Sequence, residues 1–221
     1  MYKCAIFDLD GTVCDTLNTI AYFGNKALEY NGLKTYEIEK YKYMAGNGAK
    51  TLVKRMLENQ GAYTETVFEK VFSDYNNFYD NDFMYLTKAF DKIPELLEFM
   101  KLRGMKTGVV SNKPHFATVS VLENVFKKGL LDDYVGKRDN IPLKPDPFSV
   151  NEMLGKWDIK PEECIYIGDT SVDMQTGKNM GAFTIGVLWG FRDREELEVN
   201  GADLIVSHPD EIMRFLSEGK I

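Results

Sequence analysis

The stretch that decides the fold is CAIFDLDGT, residues 4–12 of the chain. Its first four residues form an unbroken apolar run, which is typical of a short strand buried on both faces of a parallel sheet. The acids Asp8 and Asp10 and the turn residue Gly11 follow directly, so this strand must end in a polar loop. We therefore expect two carboxylates at the carboxyl end of a strand, where open α/β sheets bind their ligands.

Helical periodicity dominates the sequence from residue 16 to residue 82. Val67, Phe68, Val71, Phe72 and Tyr75 recur at helical spacing and form one wide apolar face. The same spacing recurs over residues 52–57, after a glycine-rich turn, and no segment in this region alternates at period two. We predict a helical domain over residues 16–82, inserted after the first strand.

Strands and helices alternate in the rest of the chain. Short apolar runs that predict strands lie at residues 107–110, 134–135, 164–167, 183–187 and 204–206, and helical patterns separate them. This alternation is typical of a parallel sheet covered by helices on both faces. We predict an α/β fold: a Rossmann-like parallel sheet core, formed by residues 1–15 and 83–221, with the inserted α-helical domain.

Composition excludes several classes of protein. The 221 residues carry 27 Lys plus Arg against 34 Asp plus Glu, a formal net charge of −7, and 44% are hydrophobic. The acidic balance disfavours partners such as nucleic acid or a membrane surface, which attract basic faces. Three cysteines and two histidines offer almost no ligands for a zinc site. We expect a reduced cytoplasmic protein, either a monomer or a homodimer.

Polar residues follow the predicted strands at one edge of the sheet. Ser111, Asn112 and Lys113 follow one strand, Gly168 and Asp169 follow another, and Lys144 precedes a helix. Each residue alone is readily explained as a helix cap or a turn residue. Together, the acids would repel one another unless a cation joined them, and oxygen ligands without histidine or cysteine suit Mg²⁺.

These motifs, in this order, resemble those of the haloacid dehalogenase superfamily of phosphotransferases. The resemblance covers essentially the whole chain and rests on four motifs: DLDGT at residues 8–12, SN at 111–112, Lys144, and GDxxxD at 168–173. The helical insertion stands where some members carry a helical cap. Within the superfamily, GNGA at residues 46–49, SNKP at 111–114 and KPxP at 144–147 are similar to phosphoglycolate phosphatases.

The resemblance implies a role for each motif residue. Asp8 would be the nucleophile that forms an aspartyl-phosphate, and Asp10 would serve as general acid and then as general base. Ser111, Asn112 and Lys144 would bind phosphate. Mg²⁺ would be held by the Asp8 and Asp169 carboxylates and by the Asp10 main-chain carbonyl. Asp173 would orient Lys144 or a metal-bound water, and Gly11 and Thr12 would support the site.

Three further residues are candidates for substrate specificity: Asn47, Gly48 and Lys113. A plain turn explains the glycine-rich loop equally well, and Arg55 on the following helix is expected on a solvated face. Lys113 follows Asn112 directly and could reach a carboxylate of the substrate.

The expected activity is Mg²⁺-dependent hydrolysis of a small phosphorylated metabolite, with 2-phosphoglycolate as the leading substrate. This chain has an acid, Asp10, two residues after the nucleophile. The dehalogenase branches of the superfamily lack an acid there, so the resemblance favours phosphoryl transfer. Three alternatives remain at this point: a phosphomutase similar to β-phosphoglucomutase, a pyrophosphatase, and a non-catalytic phosphate-binding protein.

Overall fold

The computed structural model describes residues 2–219 and falls into two units. The core unit combines the residues up to Asp15 with those from Ala89 onward, and the helical unit is Thr16–Lys88. We expected the chain to return to the core at residue 83. It returns at residue 89, because the segment after the last helix of the insertion stays bonded within the helical unit: the Thr19 hydroxyl donates to the Tyr85 carbonyl at 2.5 Å.

The strands of the described residues are β1 (Cys4–Phe7), β2 (Cys14–Asp15), β3 (Lys88–Ala89), β4 (Lys106–Pro114), β5 (Asp133–Lys137), β6 (Cys164–Gly168), β7 (Phe183–Val187) and β8 (Leu204–Val206). Six of them form one sheet in the order β5-β4-β1-β6-β7-β8, and its strand pairs are parallel. The short strands β2 and β3 pair in a sheet of their own. The α/β parallel-sheet class predicted from the sequence is confirmed.

The helices of the insertion are α1 (Leu17–Tyr30), α2 (Tyr41–Met44), α3 (Ala49–Glu58) and α4 (Glu65–Asn81). Those of the core unit are α5 (Ile93–Leu102), α6 (His115–Val125), α7 (Phe148–Trp157), α8 (Ser171–Met180), α9 (Arg194–Val199) and α10 (Pro209–Glu218). Within residues 2–219, no helix combines the length and the apolar character that a bilayer span requires. All three cysteines are buried and free.

Strand order places the reversal of the chain at β1. β1 pairs with β4 on one side and with β6 on the other, so that Phe7 lies level with Val109 and Ile167. The chain first builds the sheet outward through β4 and β5, and then crosses to β6, β7 and β8. Ligands bind at such a switch point, at the carboxyl ends of the strands. The residues that follow β1 and β6 therefore meet at this edge.

β4 is longer than the sequence indicates. We expected it to end at Val110, with Ser111 and Lys113 in the loop beyond. The strand continues to Pro114, and its pairing with β5 shifts register between Val110 and Pro114. Polar residues that are buried at a site escape a search for apolar runs, which explains the difference.

Candidate active site

One ammonium group joins two carboxylates at the centre of the predicted site. The Lys144 Nζ lies 2.7 Å from the Asp8 Oδ1 and donates to the Asp173 Oδ1 at 2.8 Å. The side chains of Lys144, Asp8 and Asp173 are 3%, 9% and 0% exposed. A buried ion pair is favourable only where further hydrogen bonds satisfy its members. Thr170 supplies such bonds to Asp173.

The Asp173 carboxylate is bound from two directions. Its Oδ2 accepts the Thr170 hydroxyl at 2.7 Å and the Thr170 main-chain N–H at 3.1 Å, while its Oδ1 accepts Lys144. The bond from the Thr170 main-chain N–H is part of the capping box that begins helix α8, since Thr170 is the N-cap and Asp173 the third residue of the helix. The cap of α8 therefore fixes the carboxylate that orients Lys144.

Asn112 fixes the main chain of Lys144. Its side-chain oxygen accepts the Lys144 N–H at 3.0 Å, and its side-chain nitrogen donates to the Lys144 carbonyl at 3.2 Å. Both the oxygen and the nitrogen of the Asn112 amide thus bond to the main chain of the lysine. Ser111 lies beside it, 5% exposed, and its hydroxyl accepts the Lys113 N–H at 3.3 Å.

Asp169 is fully buried and accepts one hydrogen bond at each oxygen. The Thr12 hydroxyl donates to its Oδ1 and the Phe191 main-chain N–H to its Oδ2, both at 2.8 Å. Gly11 has φ +85°, and a Cβ at this position would overlap the Asp169 carboxylate. The turn after β1 therefore needs glycine for its conformation and for the close approach of Asp169.

The loop after β7 is a part of the site that the sequence analysis missed. The Trp189 indole N–H donates to the Thr12 carbonyl at 3.0 Å, and Phe191 contacts Asp169 as described. Together with the bond from Thr12 to Asp169, these contacts form a set of hydrogen bonds that we call the Trp189 network (Thr12, Asp169, Trp189, Phe191). Gly190 permits it, because a Cβ there would overlap Asp169 and the Gly11 carbonyl. Its sequence signal is WGF at residues 189–191, one residue after the buried strand β7.

Burial controls the protonation of the acids. Desolvation raises the pKa of Asp8 to about 7, although Lys144 pulls it down. Burial, with Asp173 and Asp8 adding negative charge, raises the pKa of Asp169 well above its usual range. Burial alone would lower the pKa of Lys144, but Asp173 and Asp8 outweigh it and hold that pKa well above the usual value. The lysine is therefore charged, and the acids around it lack compensating positive charge.

The donor set suits a hard divalent cation. One carboxylate oxygen from each of Asp8, Asp169 and Asp173 lies within 4.8 Å of the others, and all three residues are buried. This cluster offers only oxygen, which Mg²⁺ prefers. Since Asp173 already binds Lys144 and Thr170, Asp8 and Asp169 are the acids better placed to hold the ion.

Asp10, two residues after Asp8, has a lysine of its own. The Lys113 Nζ donates to both Asp10 carboxylate oxygens, at 2.9 and 3.2 Å. The side chain of Lys113 is 5% exposed and that of Asp10 is 18% exposed. The sequence suggests Lys113 only as a substrate contact and does not predict this pair, because no local spacing links residues 10 and 113.

In the helical unit, Arg55 holds the glycine-rich loop rather than lying on a solvated face. Its guanidinium donates to the Met44 carbonyl and to the Asn47 side-chain oxygen, both at 3.0 Å. Gly48, with φ +83°, is the N-cap of α3. The two predicted specificity residues, Asn47 and Gly48, therefore lie in a loop that Arg55 stabilises.

Comparisons with known proteins find similar sequences over most of the chain. A family model described as haloacid dehalogenase-like hydrolase matches residues 5–187. The chain is 31% identical over 216 residues to a phosphoglycolate phosphatase of Aquifex aeolicus (strain VF5), covering 97% of this chain and 96% of the relative. It is 28% identical over 195 residues to a phosphoglycolate phosphatase of Haemophilus influenzae (strain ATCC 51907 / DSM 11121 / KW20 / Rd), covering 86% and 87%.

Solved structures share the fold over nearly the whole chain. A protein assigned as a phosphoglycolate phosphatase from Lactobacillus delbrueckii subsp. bulgaricus aligns with a TM-score of 0.93 at 29% identity, covering 97% of this chain and 98% of that one. A protein assigned as a β-phosphoglucomutase from Thermotoga maritima aligns with a TM-score of 0.73 at 22% identity, covering 99% of this chain and 100% of that one. The fold alone therefore does not separate hydrolases from mutases.

Proposed function

The chain belongs to the haloacid dehalogenase-like hydrolase family, as the resemblance predicted, and we propose that it is a Mg²⁺-dependent phosphatase of small phosphomonoesters, with 2-phosphoglycolate as its leading substrate. The observation that carries the proposal is the array in which Lys144 joins Asp8 and Asp173, beside Asp169. A protein that only binds phosphate has no need of a buried carboxylate paired in this way. The substrate is suggested by the relatives named phosphoglycolate phosphatase, which match nearly the full chain.

Asp8 supplies the nucleophile. In the proposed first step, one of its carboxylate oxygens forms a bond to phosphorus, and the bond from phosphorus to the ester oxygen breaks. Burial raises the pKa of Asp8 to about 7 in spite of Lys144, which favours the ionised carboxylate. Ser111, the Asn112 main chain and the Lys144 ammonium bind the phosphate oxygens and hold phosphorus in line.

Asp10 moves the protons of both steps. It gives a proton to the leaving oxygen as the aspartyl-phosphate forms. It then takes a proton from the water whose oxygen attacks phosphorus, which releases inorganic phosphate and restores the Asp8 carboxylate. Lys113 holds the Asp10 side chain in place through both of its oxygens.

A divalent cation fits the same geometry. The Asp8 and Asp169 carboxylates and the Asp10 main-chain carbonyl would hold Mg²⁺, which when bound supplies positive charge against the phosphate oxygens. Four acids (Asp8, Asp10, Asp169, Asp173) and two lysines (Lys113, Lys144) give the site a formal excess of two negative charges. A dication offsets that excess and lets an acidic protein accept an anionic substrate.

Further parts of the proposal concern specificity and setting. Asn47 and Gly48 are proposed to contribute to substrate choice from the helical unit, as a cap. The enzyme is proposed to work in the cytoplasm on a small metabolite, as a monomer or homodimer, without nucleic-acid or membrane partners. The free cysteines and the net charge of −7 support this setting.

The test is phosphate release from a panel of substrates with and without Mg²⁺. The panel comprises 2-phosphoglycolate, glucose 1-phosphate, glucose 6-phosphate and pyrophosphate. We expect Mg²⁺-dependent release that is fastest with 2-phosphoglycolate. Interconversion of the two glucose phosphates without phosphate release would establish a mutase, and preferred cleavage of pyrophosphate would establish a pyrophosphatase. Tight phosphate binding without turnover of any substrate would establish a binding protein.

A further inference from the structure

Two lysines are buried within residues 2–219, and they hold different acids. Lys144 contacts Asp8 and Asp173, which places it with the nucleophile and the phosphate. Lys113 contacts Asp10, the acid that exchanges a proton with the leaving group. The positive charge of the site is therefore divided between a phosphate side and a leaving-group side.

The leaving-group side is the more open of the two. The Asp10 side chain is 18% exposed, against 9% for Asp8 and 0% for Asp173. To receive a proton, the ester oxygen must come within about 2.6–3.2 Å of an Asp10 oxygen. The rest of the leaving group then lies against Asp10 and the Lys113 ammonium that holds it.

Distances select the leaving group that this ammonium can bind. The Lys113 Nζ is 2.9 and 3.2 Å from the two Asp10 oxygens, so an ester oxygen bonded to the nearer of them lies within roughly 6 Å of the Nζ. A carboxylate attached to the carbon next to the ester oxygen has its own oxygens about 3 Å from that oxygen. A charge-assisted hydrogen bond of about 2.8 Å spans the remainder.

The positive charge of Lys113 also favours a leaving group that carries a carboxylate. Once Asp10 has given its proton to the leaving oxygen, a carboxylate on the leaving group stands beside the Asp10 carboxylate, and two like charges at such a separation repel. The Lys113 ammonium, 2.9 Å from Asp10, can offset this repulsion, and its burial reduces the screening of its charge by water. A neutral carboxamide of the same size accepts a hydrogen bond from the ammonium but carries no charge, so the ammonium binds it more weakly.

We propose that Lys113 forms a subsite for an anionic leaving group, in which its ammonium binds a carboxylate carried on the carbon next to the ester oxygen. The subsite selects phosphorylated 2-hydroxy acids over neutral phosphomonoesters of equal size. This inference rests on the proposed phosphatase function and names the residue that determines its substrate class.

The experiment compares 2-phosphoglycolate with its neutral carboxamide, 2-phosphoglycolamide. The quantity measured is the ratio of the two kcat/KM values in the wild type, Lys113→Met and Lys113→Arg. Loss of support for Asp10 slows both substrates alike, so the ratio isolates recognition of the carboxylate. We expect the wild type to prefer the acid by about tenfold or more, Lys113→Met to bring the ratio near one, and Lys113→Arg to retain a preference. Lys137→Met, which removes an exposed lysine at the end of β5, should keep the wild-type ratio.

Other outcomes overturn the inference and separate it from the function. If both rates fall in Lys113→Met and the ratio stays, Lys113 only positions Asp10. If the wild type hydrolyses acid and amide equally well, the subsite does not exist although the phosphatase does. If Lys113→Met does not fold by circular dichroism, the wild-type ratio and the Lys113→Arg ratio decide, and equal rates in both overturn the subsite. If neither compound is hydrolysed while another phosphomonoester is, the proposed substrate fails and the subsite fails with it.

Discussion

At the scale of single residues, Asp169 and Asp173 illustrate how neighbouring acids of one motif acquire different tasks. Both are fully buried and both contribute an oxygen to the same cluster. Asp173 contacts Lys144 and Thr170, which satisfy its two oxygens. Asp169 accepts one hydrogen bond at each oxygen from neutral donors and has no lysine against it in the contacts described above. A cation is therefore expected on Asp169.

Asn substitutions at these two positions test this division. We expect Asp169→Asn to weaken Mg²⁺ binding by more than about 100-fold, because it removes a ligand. We expect Asp173→Asn to weaken it by about tenfold or less, at the low end of the range for residues that act through a neighbour. Isothermal titration of the purified proteins with Mg²⁺ measures both. Equal losses in the two variants would assign Asp173 to the metal as well.

The sequence predicts a site residue where that residue adjoins a recognisable strand or helix, and misses contacts between residues that are distant in the sequence. Asp8, Asp169 and Lys144 follow or precede recognisable elements, so strand ends alone place them at one edge of the sheet. The pair of Lys113 with Asp10 escaped notice, because its members are 103 positions apart and share no spacing pattern. The donors of the Trp189 network include a main-chain N–H. Every residue except proline carries this group, so the sequence does not mark it.

At the scale of elements, the loop after β7 stabilises the turn after β1 through the Trp189 network. Trp189→Phe keeps an aromatic ring and removes the indole N–H, which leaves the Thr12 carbonyl without this donor. A hydrogen bond of this kind contributes about 0.5–1.5 kcal/mol. We therefore expect Mg²⁺ affinity to fall about three- to tenfold.

The matched control is the other tryptophan, Trp157, which packs against the core cluster beneath the sheet. Trp157→Phe should lower the melting temperature without changing Mg²⁺ affinity. If Trp189→Phe binds Mg²⁺ as the wild type does, the Trp189 network has no part in the metal site.

The loop that Arg55 holds provides a second test at this scale. Arg55→Met removes the donors to Met44 and Asn47 and should loosen the loop. If this loop contacts substrate as proposed, KM for 2-phosphoglycolate should rise about five- to tenfold with kcat within about twofold. Lys54→Met, on an exposed position of the same helix, is the control and should change neither constant. A fall in kcat with unchanged KM in Arg55→Met would contradict a role in binding.

Elements differed from their predictions where periodicity is weak. Helices α4, α5 and α8 and strands β1, β6 and β7 lie where apolar spacing placed them. The return to the core moved from residue 83 to residue 89, because the intervening turn has neither a helical nor a strand pattern and is held by bonds such as that of Thr19. Strand β4 gained its polar end for the reason given above.

At the scale of the whole molecule, the buried acids couple stability to pH. Asp8 has its pKa raised from 3.8 to about 7 in the folded protein, and that of Asp169 is raised as well. Between these values the folded state binds more protons than the unfolded state, so the contribution of these acids to stability falls as pH rises from about 4 through about 7. A bound dication replaces the protons, so its stabilising effect should grow over the same range.

Thermal melts with and without Mg²⁺ measure this coupling. At about pH 7.5 a Mg²⁺ concentration near 100 times the dissociation constant should raise the melting temperature by about 5–10 °C. At about pH 5.5 the gain should be less than half as large, because protons compete for the same carboxylates. Asp169→Asn should remove most of the gain at the higher pH. Equal gains at both pH values in the wild type would show that these acids do not hold the cation.

In the proposed reaction, Asp8 becomes covalently phosphorylated during turnover. The direct measurement is borohydride reduction of the enzyme, quenched during hydrolysis of 2-phosphoglycolate with Mg²⁺, followed by mass spectrometry of its peptides. An acyl phosphate on Asp8 is reduced to homoserine, so we predict homoserine at position 8 and nowhere else, and its absence without substrate. Asp8→Asn should release phosphate about 10⁴-fold more slowly. Turnover without homoserine at position 8, together with normal phosphate release by Asp8→Asn, would contradict the account.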